Sequence, residues 1–330
     1  MDPERLSGSE FVAALGTGEA FERIVGLECG VVLVEGDGLP DTPVPDTPDS
    51  LAMLPAVVVA VVSDPAARRP AWADLVVAPG SAELAATLET VGDNPLASVV
   101  LAVLLRDGER RTVAQGLVAE SMAYGLLQSG PEFAAWRRRV PVRAHPEDDG
   151  PPVLVERHDH RLEVTLHRPH VLNAFSAAMR DGLVAALQVA VVDPSVTSVV
   201  LRGAGGSFCS GGDLDEFGSR SDPATAHLVR LQRSAGRALA ELADRTEVHI
   251  HGSTVGSGIE LAAFAGHLVA DRATRISLPE VHLGLIPGAG GTVSLPRRIG
   301  RHATMLLAVG VPSIDAGTAR TWGLVDGLEG

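Results

Sequence analysis

Two glutamates and two glycine-rich loops are the parts of this 330-residue chain with the most to offer chemistry. Glu260 opens an apolar helix and is flanked by Ile259, Leu261 and Ala262. A carboxylate there either stabilises a helix N-terminus by its charge or acts as a proton-transfer group in an apolar setting. Glu280 follows Ser277-Leu278-Pro279 at a strand end, where a solvated turn residue is the plain alternative. Chain spacing alone does not bring these two carboxylates face to face. The loops are FCSGGDL at 208–214 and VGSGIEL at 255–261, each set between a strand and a helix. Backbone N–H groups at such turns stabilise an oxyanion or bind a phosphate, and both readings are open from pattern alone. No GxxxxGK[ST] is present, which argues against a P-loop.

Other chemistries fit less well. His158, His160, His167, His170, His249, His251, His267 and His282 follow no HExxH or comparable ligand spacing, so no catalytic metal is expected. No serine occupies a GxSxG elbow, and neither Ser253 nor Ser257 has an evident His/Asp partner. Cys29 and Cys209, with no CxxC spacing, read as free thiols.

The elements that would hold these residues read as an α/β alternation. Short valine-rich runs at 31–34, 57–62 and 73–80 predict strands. Ser81 caps a helix, an apolar helix covers 95–106, and a long one covers 112–138 with a break at Gly130-Pro131. From 153 an alternating pattern predicts a hairpin turning at 158–161. A helix capped by Ser176 follows, then a strand ending near 203, a helix over 224–243, a strand at 247–252, short strands in HLVAD and RISLP, and a helix over 302–309. Proline, glycine and aspartate cluster at 36–50, an internal loop, and at 140–152, the main boundary. The expected division is therefore 1–140, a linker at 141–152, and 153–330.

Composition narrows the partners. The net charge of -14 and the lack of a basic run with interleaved aromatics argue against nucleic acid. The most apolar stretch, 54–65, is too short to span a bilayer, and MDPERLSGSEF has no signal-peptide pattern. A cytoplasmic protein with no membrane partner is expected.

Taken in order, LHRPHVLNAF, SVVLRGAGGSFCSGGDL, HGSTVGSGIELA, LPEVHLGLIPGAGGTVSLPRRIG and ARTWGLVD make residues 153–327 resemble the core of the enoyl-CoA hydratase/isomerase (crotonase) superfamily. The resemblance implies a spiral of ββα units and an acyl-CoA thioester substrate, with no cofactor beyond the coenzyme A of that substrate. Two backbone N–H groups would hold the thioester oxygen, at positions matching Ser210 and Ser257, where many relatives carry alanine and glycine. Glu260 and Glu280 match the two glutamates of the hydratases, with water assigned to Glu260 and the Cα proton to Glu280. Isomerisation, other acyl-CoA chemistry including cofactor-free dioxygenation, and non-catalytic acyl-CoA binding are the alternatives on this scaffold. Arg168, Val171 and Leu172 lie where relatives line the coenzyme A channel, or else form only a strand end and turn. Ser210, Asp213 and Leu214 border the same channel, Asp213 mainly as a loop organiser. The family also implies a homotrimer or a dimer of trimers.

One departure stands out. The family core continues for several helices beyond the GLVD motif, whereas the given chain ends at Gly330. The order of elements in 73–138 is similar to that tail. This suggests tail-like helices supplied from the front, as in a circular permutation, with a helical cap of independent origin as the alternative. Arg106, Arg110 and Arg111 stand where relatives place a lysine against coenzyme A phosphates, and Arg106 is taken as the candidate.

Overall fold

A computed structural model describes residues 3–16, 30–36, 51–66, 69–143, 150–219 and 222–330. Cys29, most of the 36–50 loop and the middle of the 141–152 linker lie outside the described residues.

The chain begins with β1 (Glu4–Ser7) and α1 (Gly8–Gly16), two elements absent from the sequence reading, followed by β2 (Val31–Glu35), β3 (Val57–Val61) and β4 (Leu75–Val77). These strands pair in the order β1-β2-β3-β4, all parallel. The unbroken valine runs suit a parallel sheet covered on both faces. Side chains alternate between those faces. Val32, Val34, Val58, Ala60 and Val76 join Phe11 and Trp72 in one apolar cluster. Val31, Leu33, Val57, Val59, Leu75 and Val77 join the main core.

Four helices follow: α2 (Ala82–Asp93), α3 (Pro95–Arg106), α4 (Val113–Gln128) and α5 (Pro131–Arg139). Ser81 caps α2 through its hydroxyl, accepting from the Leu84 N–H at 3.2 Å. Thr112 and Gln115 form a reciprocal capping box on α4. The break expected at Gly130-Pro131 separates α4 from α5, with proline in the first turn. Glu132 of α5 closes the start of α3 by accepting from the Leu96 and Ala97 N–H groups at 2.7 and 3.0 Å.

Arg106, expected at the coenzyme A phosphates, has a different role. Its guanidinium forks onto Asp74 at 2.8 and 2.6 Å and donates to the Leu51, Leu54 and Ala56 carbonyls. Both side chains of the pair are almost fully buried, at 4% and 2% exposure. The arginine therefore fastens the front sheet to α3, and all its donors are spent inside the protein.

The second half opens with an antiparallel hairpin, β5 (Val153–His158) and β6 (Arg161–Leu166). Next come α6 (Ala177–Val192), β7 (Ser198–Gly203), α7 (Pro223–Gln232) and α8 (Ala235–Glu241). The single helix expected over 224–243 is thus two, because Arg233 leaves helical geometry and Ser234 caps a new start on the Arg237 N–H. Then come β8 (Thr246–Ile250), β9 (Ser253–Val255), α9 (Ser257–Ala262), β10 (His267–Asp271) and β11 (Arg275–Ser277). The last elements are α10 (Gly291–Val309), β12 (Ile314–Asp315), α11 (Ala316–Trp322) and β13 (Gly327–Glu329). Helix α10 begins well before 302 and bends at Gly300. The main sheet runs β13-β10-β8-β7-β6-β5, parallel except for the hairpin, beside a smaller sheet of β12-β11-β9. This is the crotonase-like arrangement of strand–strand–helix units.

Helices α2 to α5 lie against this second half and share its apolar core through Leu84, Leu101, Leu105, Tyr124, Phe133 and Trp136. Helices α2, α3 and α4 pack on α10, and α4 also packs along α7. Among the described residues no single helix is long and apolar enough to cross a membrane.

Candidate active site

The first glycine-rich loop leaves β7 and is held from both sides. Asn173, in left-handed backbone geometry, donates to the Ala204 and Ser207 carbonyls at 2.8 and 2.9 Å. Arg168, buried, donates to the Asp213 carboxylate at 2.9 Å and to the Ala174 carbonyl at 2.8 Å. Arg168 and Asp213 thus brace this loop against the turn before α6. From α5, Arg137 adds a bond to the Leu214 carbonyl at 2.6 Å.

The second loop leads from β9 into α9 and touches the first. The Val255 N–H donates to the Cys209 carbonyl at 2.9 Å. A Cβ on Gly258 would come within 2.8 Å of the same oxygen, so α9 reaches the loop only because glycine stands there. Gly256 turns the chain at φ 47°, and a Cβ on it would fall 2.1 Å from Oε1 of Glu280. The Ser257 hydroxyl is turned toward the buried Cys209 sulfur, 3.9 Å away. Burial pushes the Cys209 thiol up to about 11.

Three carboxylates meet behind these loops. Glu260 projects from α9, and its Oε2 accepts from the Ala289 and Gly291 N–H groups at 2.7 and 2.9 Å. Glu280 projects from the 3-10 turn Glu280–Leu283 after β11, and its buried Oε2 has no hydrogen-bond partner among the described residues. The third, Glu120 of α4, was not singled out as a site residue from sequence. It accepts from the Gly290 N–H at 2.7 Å, the Thr292 N–H at 2.9 Å and the Thr292 hydroxyl at 2.7 Å. All three are buried.

Burial is the main force on their protonation, because a charge removed from water is costly. It pushes Glu260 up to about 7 against the amides that favour its anion. Burial and the Glu260 charge push Glu120 up to about 8 against its own three donors. Burial, then the charge of Glu260, drives Glu280 well above the usual carboxylate range. Glu260 and Glu120 also sit at the start of the 19-residue α10, whose N-terminal dipole favours negative charge. Of the two that face the cavity, Glu280 is the one whose surroundings favour the acid, since its Oε2 has no donor whereas Glu260 has two.

Glu260 and Glu280 border one cavity of about 260 Å³, lined also by Ser257, Gly212, Asp213, Tyr124 and Arg230 among others. Of the residues singled out from sequence, Glu260, Glu280, Ser257 and Asp213 reach it. Ser210 does not: its N–H donates to the Leu172 carbonyl at 3.0 Å, and Gly212, two residues on, lines the cavity instead. Val171 and Leu172 form the turn that receives Ser210, with Leu172 half exposed in left-handed geometry. Among the described residues no group of three His, Cys, Asp or Glu side chains is placed to hold a metal.

Known proteins are similar to this chain. Residues 157–328 match the family model described as enoyl-CoA hydratase/isomerase. The 2,3-dehydroadipyl-CoA hydratase of Escherichia coli is 34% identical over 173 residues, covering 52% of this chain and 67% of that protein. The peroxisomal bifunctional enzyme of Danio rerio is 36% identical over 165 residues, covering 49% of this chain but 22% of the relative. The chain thus spans about a fifth of that large enzyme and two thirds of the smaller hydratase. The crystal structure of an enoyl-CoA hydratase from Bacillus anthracis superposes with a TM-score of 0.50 at 29% identity, covering 54% of this chain and 70% of that one. With the family model matched over more than half its length, this chain belongs to the enoyl-CoA hydratase/isomerase family.

Proposed function

We propose that the protein adds water across the double bond of a 2-enoyl-CoA thioester, or removes it in reverse. The observation that carries this reading is the unequal state of two glutamates on one cavity. Glu260 is anchored by amides that favour its anion, whereas Glu280 has a buried, unpartnered oxygen that favours its acid. An acid and a base pushed apart by their surroundings are what hydration needs.

Glu260 takes a proton from water as the water oxygen bonds to Cβ. The double-bond electrons shift toward the thioester, giving an enolate. Its oxygen is held by the N–H groups of Gly212 and Ser257; the first replaces Ser210, whose N–H is occupied by Leu172. Glu280 then delivers its proton to Cα, and the carboxylates re-equilibrate to restore the starting state. Donors aimed at a developing oxyanion in a water-poor site contribute roughly 2.7–4 kcal/mol each. With the Ser257 side chain facing Cys209, the serine leaves the carbonyl position unobstructed.

In the same reading, 82–139 stand in for the closing helices that the family places after its core. The support is that α4 brings Glu120 to the loop carrying the Glu260 amides, and α5 packs on the turn bearing Glu280. A homotrimer or dimer of trimers in the cytoplasm completes the proposal. An exposed apolar row on α4, Val118, Met122 and Leu126, offers it a face, and sedimentation would test it.

The functional test follows loss of the conjugated-thioester absorbance with short, medium and aryl 2-enoyl-CoA esters. Wild-type turnover to 3-hydroxyacyl-CoA, lost in Glu260→Gln and Glu280→Gln, is the expected result. Shifted double bonds without water uptake would replace hydration by isomerisation.

A further inference from the structure

The cavity carries cations that the hydration chemistry leaves unused, and Arg230 is the one held against an aromatic ring. Arg230, on α7, lines the cavity with Glu260 and Glu280. Its Nε donates to the Ser121 hydroxyl at 2.9 Å and its Nη2 to the Ser121 carbonyl at 3.1 Å. Its guanidinium stacks on the Tyr124 ring, 5.0 Å from the centroid. Among the described residues no carboxylate lies within ion-pairing distance of it.

Most other charges on this wall are answered; Arg233, one residue past the end of α7, also lines it. Asp213 is paired with Arg168, Glu216 caps the Ala177 N–H, Glu260 is held by amides, and Arg180 is paired with Asp181. A half-buried arginine without a direct ion pair is costly: burial lowers its affinity for the proton, and the charges of Tyr124 and Glu120 only partly oppose this. The cost is offset if a ligand brings the anion. Guanidinium is suited to a carboxylate because its fork donates two parallel bonds.

We propose that Arg230 makes this site selective for acyl-CoA thioesters whose acyl chain ends in a second carboxylate. This inference rests on the acyl-CoA reading above. Its second support is place. Tyr124 bridges Arg230 to the reacting carboxylates, because its ring lies against Gly288, the neighbour of the Ala289 amide that holds Glu260. Arg230 is therefore one aromatic ring from the reacting carbons. The diphosphate of coenzyme A lies a whole pantetheine arm from the thioester, too far to be the anion at this position.

The test compares binding of saturated CoA monothioesters of C4 to C8 dicarboxylic acids with straight-chain monocarboxylic esters of equal length. Calorimetry is run on wild type, Arg230→Gln and Arg230→Lys. Wild type is expected to prefer the carboxylated ester at its best length by about 10- to 100-fold, the range of a charge-assisted hydrogen bond. The preference should collapse toward unity in Arg230→Gln and survive in part in Arg230→Lys, which keeps the charge and the fold but loses the fork. Equal or weaker wild-type binding of the carboxylated esters overturns the proposal, as does a preference that persists in Arg230→Gln. Equal weakening of both ester classes in Arg230→Gln also overturns it, since that marks a contact to coenzyme A phosphate. Because saturated esters are not hydrated, this result is separate from the hydratase reading. A carboxylate preference without enoyl-CoA turnover would sustain Arg230 and remove hydration, whereas turnover without preference would do the reverse.

Discussion

Glu120 and Glu260 divide the amides of one loop between them. The N–H groups of Ala289 and Gly291 point to Glu260, and those of Gly290 and Thr292 point to Glu120. One glutamate comes from the front helices and the other from the family core, so the loop between them fixes both. Replacing Glu120 by alanine leaves three donors without an acceptor. Each unsatisfied buried group costs roughly 1–3 kcal/mol. We expect Glu120→Ala to lower stability by at least about 3 kcal/mol and to reduce kcat far more than it raises KM, because it loosens the loop that aims Glu260. Chemical denaturation and steady-state kinetics on one preparation would check both; unchanged kcat would remove the positioning role.

The pH profile follows from the two states assigned above. Glu260 must be an anion to accept the water proton, so activity falls as pH drops through its value of about 7. Glu280 must hold a proton, so activity falls again as pH rises through its raised value. The expected profile of kcat/KM is a bell whose acid limb lies near neutrality and belongs to the coupled carboxylates as a set. An acid limb near the ordinary glutamate value, about 4.3, would contradict the burial argument.

The same shifts bear on stability, with the sign opposite to that of a salt-bridged carboxylate. In the folded state these acids bind protons more tightly than in the unfolded chain. Between the unfolded value and the raised folded ones the native state holds more protons, so stability falls as pH rises across that window. With Glu260 at about 7 and Glu120 at about 8, the decline should run from roughly pH 4.5 to 8. Glu280→Gln removes one buried group that must otherwise ionise. Its Tm should rise relative to wild type as pH increases, and the slope of Tm against pH should flatten. A parallel slope would show that Glu280 binds its proton no more tightly in the folded state than in the unfolded chain.

Arg106 and Asp74 make a prediction of another kind. Removing one partner of a buried ion pair leaves the other charge uncompensated, at roughly 3–5 kcal/mol. Arg106→Ala should therefore unfold at markedly lower denaturant while the enzyme that remains folded keeps its KM for CoA esters. A raised KM with unchanged stability would return Arg106 to the coenzyme A phosphates.

How far the sequence could be read depends on how local each cause is. Ser81, Thr112 and Ser176 are caps whose partner amides lie three residues on, so the helix starts at Ser81 and Ser176 were legible. The valine strands were legible because a parallel sheet buried on both faces demands continuous apolar runs. Glu260 and Glu280 were reachable through long motifs in a fixed order. Glu120 lay hidden in the middle of a helix, a place where glutamate is usually solvated, because its acceptor role depends on Gly290 and Thr292 of a distant loop. Arg106 was misplaced for the same reason, since Asp74 is not its helix neighbour. Ser210 was misplaced because only the folded turn shows the Leu172 carbonyl taking its N–H.

The alternating amides also bear on how the chain reaches its native state. Glu120 is separated from Gly290 by 170 residues and from Thr292 by 172, so these bonds close very large loops. Contacts of such separation are entropically late, whereas helices and hairpins close in microseconds. During refolding, helical signal should return before catalytic turnover, because the loop that orients Glu260 acquires its second anchor only when front and rear meet. The reacting centre is then among the last parts of the molecule to be completed, and the recovery of activity times the docking of the two halves.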